Sequence, residues 1–168
     1  SDPELNRLHL PDGLSLRLGQ SMQRVQDLAM DAQKSLSAHD EARLRSQLLF
    51  LLSDIDGINN LTKDVPGATA QAGDAAFDQV GLLQIQAYQK SAAYLQHVGL
   101  HIFGLLSSQG ATDDQLKIAR MVGAAITLVN DRLGQIRTNT VQLLALTPAH
   151  LLNAGRQLTL LARLIRIV

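Results

Sequence analysis

His97 and His101 lie four positions apart, a spacing that puts both rings on one face of a helix, where they could share a metal ion. The helical metalloprotease signature requires a glutamate directly after the first histidine, and Val98 occupies that place. A zinc site takes three or four protein ligands, while His9, His39 and His150 are scattered without a spacing of their own. His97 and His101 are therefore half a metal site, and the expectation is a fold that uses no metal or other cofactor. Asp54 and Asp56 alternate before Gly57 as in a calcium loop, but the twelfth position of that loop, which needs a bidentate glutamate, is Val65. The expectation is a pair of solvated carboxylates at a helix end. No serine sits in a GxSxG turn and no histidine accompanies one in an activating motif, which points to a non-catalytic protein. Gly19, Gly81, Gly99, Gly104, Gly123 and Gly134 fall inside helical patterns with no following Lys-Ser or Lys-Thr pair, so they read as points of close helix approach, not as a phosphate loop.

The elements that position these residues are helical throughout. Residues 1–13 carry Pro3, Pro11 and Gly13 without a period and read as a lead-in arm to a single domain over 14–168. Leu18, Met22, Val25, Ala29, Ala32 and Leu36 step by fours and threes and predict a first helix. Ser37 to Asp40 interrupts it, and a second helix is expected over about 40–62, making a hairpin. After a loop with Pro66, Gly67 and Gly73, a third helix is expected over about 74–108. Its seam is Phe77, Val80, Ala87, Tyr94, Val98, Ile102 and Leu105. Thr112-Asp113-Asp114-Gln115 has the form of a capping box, and Ala119, Val122, Ile126, Val129, Leu133, Ile136, Thr140 and Leu143 predict a fourth helix over about 112–146. Thr147-Pro148 restarts the chain as a fifth helix running to the end. The fold class expected is all-α: an antiparallel bundle of four to five helices, two of them long.

Composition narrows the function classes. Fifteen basic and fifteen acidic side chains cancel, which removes the electrostatic basis for binding nucleic acid. Aromatic residues are only 3% of the chain and tryptophan is absent, so a cleft walled for flat organic ligands is not expected. The absence of cysteine excludes disulfides, thiolate catalysis and cysteine-ligated zinc. No apolar run reaches the roughly 18–20 residues of a bilayer span, so no membrane span is expected within this chain.

One stretch exceeds generic helix. Gln23, Arg24, Val25, Leu28, Ala29 and Ala32, followed by Ile55, Asp56, Ile58, Thr62 and Gly67, form an ordered set across the first hairpin. This set resembles the N-terminal core hairpin of bacterial flagellins, in which a QRVREL-A run is followed by a helix ending in E-I-D-R-I, a threonine and a glycine. Gln26 and Gly57 stand where that family has arginine. Val129 to Gly134 (VNDRLG) resembles, with tighter spacing, a VN-R-LG stretch of the flagellin C-terminal core. The resemblance implies an extracytoplasmic or secreted, self-assembling structural protein, or a relative that uses the bundle to bind a protein partner. A second resemblance lies in Ala154-Gly155-Arg156-Gln157, which is similar to the AGRQ box of extracytoplasmic helical-bundle sensor domains. There the box belongs to the first helix, whereas here it is in the last. A ligand-binding sensor domain and a metal-binding bundle are thus the alternative readings.

The last helix offers a candidate partner surface. Leu151, Ala154, Leu158, Leu161, Ile165 and Val168 form one stripe suited to the bundle, while Leu160, Leu164 and Ile167 fall near the other side beside Arg156, Arg163 and Arg166. A helix apolar on two faces is either sandwiched within its own bundle or exposes a patch for another chain, and apolar residues ringed by arginines suit a protein interface. The second stripe is therefore the candidate face for a protein partner or another copy, with a fully central helix as the alternative.

Overall fold

His39 and Asp40 build the first turn. In the computed structural model, which describes residues 14–57, 65, 80–83 and 93–165, α1 spans Leu14–Ser37. It closes with the amide of Asp40 on Ser35 O and that of His39 on Leu36 O, both at 3.0 Å, while His39 takes φ 55°. This is a Schellman closure with histidine in the place glycine usually fills. Asp40 then caps α2 (Glu41–Asp56), its carboxylate accepting from the Arg43 amide at 3.0 Å. The helix ends where Gly57 adopts φ 76°, about six residues short of the boundary expected near 62.

The remaining helices are α3 (Tyr94–Leu106), α4 (Asp113–Leu144), α5 (Pro148–Leu152) and α6 (Gly155–Ile165). No strand occurs among the described residues. The capping box at the head of α4 forms as the sequence predicts, with Gln115 N on Thr112 Oγ1 at 3.3 Å and Thr112 N on Gln115 Oε1 at 2.9 Å. Thr147 makes no side-chain cap, although Pro148 does open α5.

Four helices form the bundle, arranged as a ring in the order α1, α2, α4, α6. Neighbours run antiparallel, as paired contacts at opposite ends require. Ser35 Oγ donates to Gln47 Oε1 at 2.7 Å near one end of the α1–α2 pair, and Arg24 meets Asp54 near the other. Arg45 donates to Leu144 O and Leu146 O, at 2.8 and 3.0 Å, at one end of the α2–α4 pair, and Arg137 meets Asp56 at the other. The core lies between them, with Val25, Leu48, Leu52, Ile136, Leu143 and Leu161 all buried. The all-α antiparallel bundle expected from sequence is the observed architecture. Of the two helices expected to be long, over about 74–108 and 112–146, α4 is long at 32 residues, and the second long helix is α1, at 24 residues, in place of the one over 74–108.

Two helix expectations are corrected. No single helix covers 74–108: Val80–Leu83 is non-helical and α3 begins only at Tyr94. The cause is tertiary. Leu82 and Leu83 donate their amides to Asp54 O and Ile55 O, carbonyls at the end of α2, at 3.1 and 2.9 Å, and Gly81 O and Leu82 O accept from the amides of Tyr94 and Leu95, at 3.1 and 3.3 Å. This short clip satisfies the orphan carbonyls of one helix and the orphan amides of the next, and it sets α3 end to end on α2 along α4. Gly81 permits it, since a Cβ there would collide with the backbone of Ile55 to Gly57. The expected fifth helix is likewise two, broken at Asn153-Ala154, where the weak helix formers asparagine and glycine flank a buried alanine. The lead-in arm 1–13 lies outside the described residues.

Candidate functional site

Each candidate from the sequence has a definite place. Asp54 and Asp56 are not solvated: Asp56 is 1% exposed, and Arg137 Nε donates to its Oδ1 and Oδ2 at 2.8 and 3.0 Å. Asp54 is also buried and lies 3.3 Å from Arg24 Nε. The expectation fails because α1 and α4 each pass the end of α2 and supply an arginine, contacts that no local pattern specifies. Burial of these carboxylates is tolerated because each is paired. Their arrangement holds three helices together.

His97 and His101 do face the same side, their ring centroids 4.9 Å apart and tilted by 49°. His97 is buried and His101 exposed. Among the described residues no three His, Cys, Asp or Glu side chains converge as metal ligands. The expectation of glycines at close helix approaches holds at Gly123 only, since Gly81 makes its close approach from a non-helical segment. Gly123 lies against Ile102 of α3, whereas Gly19, Gly99, Gly104 and Gly134 face open space.

On α6, Arg156, Leu160 and Arg163 line one shallow hollow with Gly155 and Thr159. Leu160 is 49% exposed, but Leu164 is 8% exposed and belongs to the core, which corrects its assignment to a partner surface. Leu164 lies three residues beyond buried Leu161 and six beyond Leu158, so it extends the inward stripe. Arg166 and Ile167 lie outside the described residues.

No protein-family model, curated protein or solved structure matches the chain. The candidate site is an exposed apolar surface.

That surface is on the α3–α4 hairpin, which projects beyond the end of α2. Leu100, Phe103 and Leu106 of α3 and Ile118, Met121 and Leu128 of α4 are exposed, Phe103 by 70% and Met121 by 66%. The two helices meet through other residues, with Ala119 buried and Ile102, Leu105, Ile126 and Val129 half-buried. Val122, expected in this seam, is exposed at its edge. Each helix thus has an occupied apolar face and an unoccupied one. Scattered exposed leucines are ordinary on proteins, but a concentration on one projecting hairpin marks an interaction surface. Its signal in the sequence is the stripe Ile118, Met121, Ala125, Leu128, offset by one residue from the seam that contains Ala119, Val122, Ile126 and Val129.

Proposed function

We propose that this protein is a non-catalytic structural assembly module that works by association through helix faces, extracytoplasmic in location and akin to the flagellin core hairpin. The observation that carries the reading is the exposed apolar surface of α3 and α4, led by Phe103 and Met121. Burying a large apolar side chain contributes about 1.5–3 kcal/mol, so a few such residues supply a useful association energy. The residues that resemble the flagellin hairpin are part of the folded bundle. Val25, Ala29, Ala32 and Ile55 are core residues there, Asp56 is the carboxylate held by Arg137, and Arg24 meets Asp54.

Light scattering over a dilution series tests the reading. The mass is expected to rise with concentration for the wild type and to stay monomeric for a variant carrying Leu100→Ser, Phe103→Ser, Ile118→Ser and Leu128→Ser. A wild-type mass that stays monomeric up to about 1 mM, the range of the weakest specific contacts, retires it.

A further inference from the structure

The C-terminal half of α4 packs against α2 and α6, and its N-terminal half packs against α3, which continues the line of α2. Nothing described continues the line of α6. Gly155 starts that helix beside Leu36 of α1, and at about 1.5 Å per residue its 11 residues reach only the middle of α1. Above that level the open face of α4 carries Ile118, Met121, Ala125 and Leu128, all exposed. These positions alternate in steps of three and four, the period of a two-helix seam. The same alternation reaches Asp114 at one end and Arg132 at the other.

We propose that this stripe binds the same stripe of a second copy, antiparallel, in a closed two-fold dimer centred near Gly123. The proposal rests on the assembly reading above and names its partner and geometry. Antiparallel alignment sets Ile118 against Leu128 of the second copy and Met121 against its Ala125. The same register sets Asp114 against Arg132 and Lys117 beside Asp131, each pair occurring twice by symmetry. Lys117 and Asp131 are exposed and make no hydrogen bond or ion pair among the described residues, and Arg132 reaches only Gln135 Oε1, at 3.3 Å. A parallel pairing would instead bring Asp114 against Asp114 and Arg132 against Arg132 within the seam, which opposes association. The seam spans about five turns, and a seam of that length covers on the order of 1,000 Å² in the pair. This is the lower end for a specific interface, so the dimer is reversible.

Sedimentation velocity on the whole chain tests the geometry. The wild type is expected to show a monomer–dimer equilibrium that stops at the dimer. Met121→Glu places a charge in the seam and is expected to weaken dimerisation by about 100-fold while the thermal melt stays put, because Met121 is solvent-exposed in the monomer. Lys117→Asp and Asp131→Lys are each expected to weaken it by about tenfold. An equimolar mixture of those two variants is expected to restore a heterodimer, since each chain supplies the charge the other has lost. Association that ignores Met121→Glu, that continues past the dimer, or that is not restored in the mixture overturns the antiparallel dimer and leaves helix-face assembly standing. A wild type monomeric at every concentration removes both.

Discussion

Arg137 on α4 donates its Nε proton to both carboxylate oxygens of Asp56, the last residue of α2, from 81 positions away in the chain. The carboxylate is almost wholly buried, while the arginine side chain keeps 21% of its surface in solvent. Removing the cation from such a pair strands a charge, whereas removing both members strands nothing. Arg137→Met is therefore expected to lower unfolding free energy by about 3–5 kcal/mol, and Asp56→Leu combined with Arg137→Met to recover much of that loss. Urea titrations of the wild type, the single variant and the double variant measure this directly. A double variant as unstable as Arg137→Met alone would show that the pair is not the energetic unit.

The clip between α2 and α3 depends on one missing methyl group. Gly81→Ala forces a Cβ into the backbone of Ile55 to Gly57 and is expected to cost about 2–4 kcal/mol. Gly134 on α4 provides the opposite case, being helical with open space at the Cβ position. Gly134→Ala should stabilise by about 1 kcal/mol through backbone entropy alone. Opposite shifts in the thermal midpoint for the same chemical change are the outcome to check.

His39 holds a left-handed conformation at φ 55° with its side chain exposed. Glycine adopts that conformation without the Cβ penalty, so His39→Gly is expected to stabilise the α1–α2 hairpin by about 0.5–1 kcal/mol. A drop in stability would mean that the imidazole makes a contact worth more than the backbone strain it imposes.

Features encoded within a few residues were legible in the sequence, and those decided across the fold were not. The capping box at Thr112 and Gln115, the Asp40 cap and the inward positions Leu133, Ile136, Thr140 and Leu143 are local patterns, and the structure has them all. The start of the expected third helix was not legible, because what displaces Val80–Leu83 from helix is the demand of Asp54 O and Ile55 O for donors. Burial of Asp54 and Asp56 was hidden for the same reason: their arginines arrive from α1 and α4. The exposed stripe of α4 is masked in the sequence because its apolar residues sit one position before those of the inner seam. A two-stripe helix reads from sequence as a single broad apolar face.

Leu160 and Leu164 of α6 offer a last test, since the structure places one at the surface and the other in the core. Leu164 packs into the core with Leu158 and Leu161, and Leu160 stands half exposed between Arg156 and Arg163 at the shallow hollow. Leu164→Glu places a carboxylate among apolar side chains and is expected to cost several kcal/mol, comparable with the roughly 5–15 kcal/mol that holds a domain of this size together. Leu160→Glu leaves its side chain in water and is expected to change stability by about 0.5 kcal/mol or less. Circular dichroism melts of the two single variants give the comparison. Equal loss in both would mean that α6 is covered on both sides, and that Arg156 and Arg163 flank a buried helix and not an open surface.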